Sequence, residues 1–276
     1  MKDRAYAKVN FALDVFNVRQ DGYHDIKSIM VPIFFYDELE INIADEDKFI
    51  CNKSYVTDNP NNSIIKMINL FKEKYSINDH YEITLNKCIP TKAGLGGGTS
   101  DAGSTLRILK KLYNMDLSKQ EEKELCVNVG ADVLFNYYNK PAVVSGIGDI
   151  VEPFNIAKQY HVLLVKPYYG VSTKEAYEKL DMNICDHPDV DKLKEALENG
   201  DNINGLLGNS LEQPSLIINK EVKTIKELLI NNGASNVLMS GSGSTVFAVS
   251  EDYNEISRLN DIVKDTKYFT RFTKTI

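Results

Sequence analysis

Between Pro90 and Leu109 the sequence reads PTKAGLGGGTSDAGSTLRIL, with glycine at 94, 96, 97 and 98 and a helix-like stretch directly behind. Glycine loses more conformational freedom on folding than any other residue, so such a cluster serves unusual dihedrals or a close backbone approach. A glycine-rich turn feeding a helix is what an anion site needs. The first amides of a helix lack internal partners, and its dipole favours negative charge there. Glycines let successive amides converge on the anion with no Cβ in the way. Thr99, Ser100 and Asp101 add hydroxyls and a candidate cap at the same terminus. A flexible surface turn is the competing reading.

Two familiar phosphate loops can be tested against these residues. The pattern GxxxxGK[ST] needs a lysine before the hydroxyl residue, where this chain has Gly98-Thr99-Ser100. The pattern GxGxxG counted from Gly94 needs glycine at 99, where threonine stands. Both fail. Elsewhere, Asp132 follows Gly130 just past a predicted helix end, in a loop where a carboxylate could enter a cleft or simply meet solvent. Lys8 sits between Ala7 and Val9 in an alternating strand, a place usually taken by a solvent-facing residue.

The elements that must position these residues follow from periodicity. AKVNFALDVF near the start and YEITLN at 81–86 alternate like half-buried strands. From Asn62 the apolar spacing of Ile64, Ile65, Met67, Ile68, Leu70 and Phe71 predicts a helix. A second helix follows the glycines, with Leu106, Ile108, Leu109, Leu112 and Tyr113 on its buried side. A third opens on the capping-box pair Ser118 and Glu121 and runs to Gly130. HVLLV at 161–165 reads as a buried strand, with helices at about 173–180, 189–199 and 219–232, the last two stopped by Gly200 and Gly233. NVLMS and TVFAV flank the Gly241–Ser244 turn as a pair of strands. The class is α+β, with a possible boundary near residues 153–160.

The 276 residues allow one large domain or two ordinary ones, and hydrophobic content of 43% with 26% charged residues is ordinary for a soluble chain. Net charge is −7 with no basic block, against a nucleic-acid backbone binder. Cys51, Cys88, Cys126 and Cys185 are far apart and form no CxxC pair, which suggests reduced thiols in the cytoplasm and no zinc ribbon. The N-terminus lacks the apolar core of a signal peptide, and no stretch nears the roughly 20 apolar residues of a membrane span.

Pro90-x-x-x-Gly94-Leu95-Gly96-Gly97-Gly98-Thr99-Ser100-Asp101-Ala102 resembles the phosphate-binding motif of the GHMP kinase superfamily. Within it, the chain is most similar to the members that act on a cytidine diphosphate-linked polyol in the non-mevalonate isoprenoid route. Ala5-Tyr6-Ala7-Lys8-Val9-Asn10, Asp21-Gly22-Tyr23-His24-Asp25, Gly130-Ala131-Asp132-Val133, Asn209-Ser210-Leu211-Glu212 and Met239-Ser240-Gly241-Ser242-Gly243 resemble further family segments in the same order. Two departures are visible: Thr99 replaces a usual serine and keeps the hydroxyl, and Ser210 replaces a usual aspartate.

The resemblance implies two domains, 1–156 with a ribosomal S5 domain 2-like fold and 157–276 with a ferredoxin-like fold. It implies ATP held by Pro90, Gly94, Leu95, Gly96, Gly97, Gly98, Thr99 and Ser100, with Mg2+ brought on the nucleotide and no protein ligand assigned. Asp132 would be the catalytic carboxylate, with Lys8 keeping it ionised and lowering the acceptor hydroxyl's pKa. Tyr23 and Tyr177 would sandwich the cytosine, His24 read its edge, Thr173 form a polar wall and Asn10 meet the hydroxyl end of the substrate. Tyr177 as a core residue and His24 as a turn histidine are the plainer alternatives. The implied protein is a cytoplasmic enzyme, monomer or weak homodimer, with a small-molecule substrate and neither nucleic-acid nor membrane partners. A homoserine- or mevalonate-type kinase and a catalytically silent binding protein of the same fold remain open at this stage.

Overall fold

The two longest strands open the chain: β1 covers Lys2–Val18 and β2 covers His24–Ala44. The computed structural model describes all 276 residues. Next come β3 (Lys48–Cys51), α1 (Ser63–Tyr75), β4 (His80–Asn86), α2 (Gly97–Leu112), α3 (Lys119–Val129) and α4 (Val133–Tyr138). Then follow β5 (Ala142–Gly146), β6 (Ile150–Pro153), β7 (His161–Lys166), α5 (Thr173–Glu178) and α6 (Val190–Asn199). The chain closes with β8 (Gly208–Asn209), α7 (Glu212–Ile218), α8 (Lys220–Asn231), β9 (Val237–Met239), β10 (Val246–Ser250), α9 (Tyr253–Val263) and β11 (Phe269–Lys274).

These elements form two compact units, neither continuous in sequence. Met1–Ala7, Phe35–Pro90 and Gly96–Asn139 make the first; Lys8–Phe34, Thr91–Leu95 and Lys140–Ile276 make the second. In the first unit β4 pairs antiparallel with Glu38–Ala44 of β2 and parallel with β3. α2 packs on α1 and α4, burying Ile64, Met67, Phe71, Leu106 and Leu109. The contact with α4 is so close that a Cβ on Gly103 would lie 2.8 Å from the Tyr137 amide nitrogen. Local signals set the helix ends. Asn62 caps α1 by accepting from the Ile64 amide, and the Ser118–Glu121 capping box opens α3 as its spacing predicts. Each such cap stabilises by about 1 kcal/mol.

In the second unit Ile26–Met30 of β2 pairs antiparallel with β5, which pairs with β6, and β8 lies parallel to Ala12–Leu13 of β1. A separate four-stranded sheet runs β11-β7-β10-β9. HVLLV forms β7, and Leu163 and Val165 face Val222, Ile225, Leu229, Ile256, Leu259 and Val263 in one core. Each large side chain so buried contributes roughly 1.5–3 kcal/mol. Gly200 closes α6 with a left-handed φ of 74°, and Gly233, at φ 78°, follows the Asn232 cap of α8. No helix is long and apolar enough to cross a membrane, and all four cysteines are free thiols.

Candidate active site

In the first unit the helix behind the glycines forms as its sequence predicts, opening at Gly97 with Gly96 as N-cap. Gly96 adopts φ 68°, ψ 20°, a left-handed conformation natural to glycine, and no side chain caps the terminus. The expectation that Thr99, Ser100 or Asp101 would supply a cap is therefore corrected. Thr99 Oγ1 donates backwards to the Gly96 carbonyl at 2.9 Å and accepts from Asn136 Nδ2 at 2.9 Å. Ser100 Oγ donates to the Tyr6 carbonyl at 2.7 Å. These hydroxyls brace the loop and leave the opening amides of α2 unclaimed by side chains. Gly98 is exposed, and a Cβ there would meet only Ser63 Oγ at 3.4 Å.

Asp101 turns inward instead. Lys87, just past β4, donates to Asp37 Oδ2 at 2.5 Å and to Asp101 Oδ2 at 2.6 Å, all three side chains being buried. Asp37 Oδ1 also accepts from the Cys88 and Ile89 amides at 2.5 and 2.7 Å. Asp101 Oδ1 has no partner. Desolvation, reinforced by Asp37 and opposed by Lys87, pushes the Asp101 carboxyl up to about 8. The group thus braces the first turns of α2 from below: a Cβ on Gly97 would lie 3.1 Å from the Lys87 ammonium. Nothing in the sequence around Lys87 signals this arrangement. Asp132 is the residue before α4, half-buried, and its carbonyl accepts from the Asn136 amide and Nδ2 at 3.1 and 2.9 Å.

The second unit carries Lys8, Asn10 and the residues leading into the glycine loop. Lys8 is only 3% exposed, which overturns the plain reading of a solvent-facing lysine. Its ammonium donates to Asn10 Oδ1 at 2.6 Å, and Asn10 Nδ2 donates to Ser28 Oγ at 2.9 Å. The Lys8 amide holds the Leu95 carbonyl at 3.0 Å. Gly94, at φ 73°, packs flush on the loop between β9 and β10, where a Cβ would come within 2.0 Å of the Ser240 carbonyl oxygen. Ser240 Oγ donates to the Gly94 carbonyl at 2.9 Å, and the Thr245 amide to that of Ala93 at 3.2 Å. Asn209 Nδ2 fixes the same loop from the other side, donating to the Met239 and Gly241 carbonyls, each at 2.8 Å.

Ser210, the departure from the resembled pattern, has a structural account. Its hydroxyl donates to the Asp186 carbonyl at 2.7 Å and accepts from the Val15 amide at 3.0 Å, tying β1 to the segment before α6. Among the base-recognition candidates, His24 and Tyr177 come together with ring centroids 4.9 Å apart and planes tilted by 39°. Tyr177 is half-buried on the core of this unit. Tyr23 is 61% exposed on the turn after Gly22. Thr173 Oγ1 lies 2.8 Å from Ser242 Oγ, so the start of α5 is pinned to the second glycine loop.

Residues 62–141 match the model of the GHMP kinases N terminal domain, and residues 185–268 that of the GHMP kinases C terminal domain. The 4-diphosphocytidyl-2-C-methyl-D-erythritol kinase of Bacillus cytotoxicus is 40% identical over 265 residues, covering 95% of this chain and 92% of the relative. The chain belongs to the 4-diphosphocytidyl-2-C-methyl-D-erythritol kinases, within the GHMP kinases. The kinase of that name from Thermoanaerobacter pseudethanolicus is 40% identical over 280 residues, covering all of this chain and 96% of its own. A crystal structure of a 4-(cytidine 5'-diphospho)-2C-methyl-D-erythritol kinase superposes with a TM-score of 0.84 at 28% identity, over 100% of this chain and 99% of that one. A homoserine kinase from Cytophaga hutchinsonii, 16% identical, shares the fold with a TM-score of 0.72, over 98% and 94% of the two chains. The GHMP kinase fold read from the motifs is thus the fold of this chain.

Proposed function

We propose that this chain transfers the γ-phosphate of ATP to the 2-hydroxyl of 4-diphosphocytidyl-2-C-methyl-D-erythritol. One observation carries the phosphate side of the reading: α2 opens on a glycine N-cap with no side-chain cap, behind glycines whose amides a triphosphate could approach. Pro90, Leu95 and the residues from Gly94 to Ser100 are the proposed nucleotide contacts. Mg2+ would arrive on nucleotide oxygens and neutralise charge there.

Asp132 is the proposed base. It accepts the hydroxyl proton as the new oxygen–phosphorus bond forms and the bond to the β-phosphate oxygen breaks, releasing ADP. Lys8, a buried ammonium, stabilises negative charge developing on the acceptor oxygen, and Asn10 meets that end of the substrate. Tyr23, His24 and Tyr177 would receive the cytosine, with Thr173 beside them. Homoserine and mevalonate offer no base to stack, which favours the cytidyl acceptor. The modules 1–156 and 157–276 are the proposed domain division; the two family matches lie one in each. Spread, free cysteines match a cytoplasmic enzyme, and a monomer or weak homodimer is its proposed assembly.

Tyr23→Ala tests the base-recognition side. The acceptor KM should rise about 5- to 160-fold while the KM for ATP stays within twofold, since stacking is worth about 1–3 kcal/mol per base. An equal rise for both substrates counts against stacking.

A further inference from the structure

Lys8, Asn10 and Ser28 in the second unit form a buried polar chain that accepts only one arrangement of protons, and we propose that its far member, Ser28, is a positioning residue for phosphoryl transfer. Lys8 and Asn10 lie two apart on β1 and so share a face. Ser28, on β2 and fully buried, reaches the same face. Its hydroxyl donates to the Ala12 carbonyl at 2.6 Å. Having one proton, the hydroxyl can then only accept from Asn10, so it is Nδ2 that faces Ser28 at 2.9 Å. The Asn10 carbonyl oxygen is thereby aimed at the Lys8 ammonium, 2.6 Å away. Reversing the amide would set two donors against each other at Lys8 and take the Ser28 proton from the Ala12 carbonyl. In a buried site neither loss is compensated by water.

Ser28 therefore acts at a distance, through Asn10. It dictates which end of the amide Lys8 meets and which end stays turned toward β2. Lys8 is confined on its other side by the second glycine loop: a Cβ on Gly241 would stand 3.2 Å from Nζ and 3.5 Å from Asn10 Oδ1. The ammonium therefore has little room to seek another geometry if the amide turns. Along the β2–β5 ladder Ser28 lies opposite Val144. No sequence motif marks it; a single hydroxyl in the apolar run IKSIMVPIFF is its only trace.

The inference rests on the reading of Lys8 and Asn10 as active-site residues, and steady-state kinetics with Mg2+-ATP and the cytidyl substrate separate the two. Ser28→Ala should lower kcat/KM for the acceptor on the order of 10- to 100-fold, the usual consequence of misplacing a group that orients the reacting atoms. The KM for ATP should stay within about twofold, and Ser28→Thr, which keeps the hydroxyl, should restore most of the loss. In an Asn10→Ala background Ser28→Ala should cost less than about twofold more, because the route runs through Asn10. Should Ser28→Ala fail to fold, Ser28→Cys, close in volume but a weak hydrogen-bonding partner, carries the same expectation. An acceptor kcat/KM within twofold of wild type, or a full additional loss on top of Asn10→Ala, overturns the proposal while leaving the kinase reading standing. A wild-type protein that turns over no cytidyl substrate overturns both.

Discussion

Replacing Gly98 with alanine should make the protein slightly more stable and a worse kinase. Gly98 lies in the first turn of α2, where φ is not positive, and an added Cβ would meet only Ser63 Oγ at 3.4 Å. The fold has no need of glycine there, so alanine should gain about 0.5–1 kcal/mol. At roughly 2 °C per kcal/mol for a chain of this size, the melting temperature should rise by about 1–2 °C. The methyl group would nevertheless project where a phosphate must approach the backbone, so the KM for ATP should rise about tenfold or more, the effect of one lost charge-assisted hydrogen bond. Gly94→Ala is the contrasting control. Its φ of 73° and the 2.0 Å approach to the Ser240 carbonyl cost about 1–2 kcal/mol for handedness and about 1–3 kcal/mol for overlap. That corresponds to a fall of about 4–10 °C. Differential scanning fluorimetry and ATP titration of both variants suffice. An unchanged KM for ATP in a stabilised Gly98→Ala would refute the argument that this glycine exists for a ligand, and a loss of stability would refute the geometry.

Asp101 predicts a pH dependence. The folded protein holds its proton up to about pH 8, whereas the unfolded chain releases it near 3.8. Between those values the folded state binds more protons, so this group's contribution to stability falls as pH rises from about 4 to about 8. Asp101→Asn should flatten the melting-temperature profile across that window, and a variant with the wild-type slope contradicts the assignment. Asp132→Asn should lower kcat by about 10²–10⁴ with nucleotide Kd unchanged by calorimetry; turnover near wild type would remove Asp132 from the mechanism.

What could be read in the sequence follows a physical line. Helices with strong periodicity and a cap, such as α1 behind Asn62 and α3 behind its capping box, were legible because the decisive interactions span three or four residues. The fully buried β7 was legible as an apolar run. The full 21-residue reach of β2 and the two-residue β8 were not, because pairing partners far along the chain create them, and α4 and α7 are too short to show a helical period. Two discontinuous units could not be deduced from local composition. At the candidate site, the glycine loops, Lys8 and Asn10 carried recognisable spacing. The ion group of Asp37, Lys87 and Asp101 and the role of Ser28 did not, since each is defined by side-chain bonds between residues 14 to 50 positions apart or on different strands. Asp101 does not act as a cap because the helix opens at Gly97, which puts its carboxylate past the first turn, where Lys87 draws it inward.

The most direct test is a phosphorylation assay with Mg2+-ATP, offering 4-diphosphocytidyl-2-C-methyl-D-erythritol, homoserine and mevalonate side by side and following ADP release and the phosphorylated product. The account predicts turnover of the cytidyl compound alone. Turnover of homoserine or mevalonate in its place, or nucleotide binding without transfer to any acceptor, would contradict it.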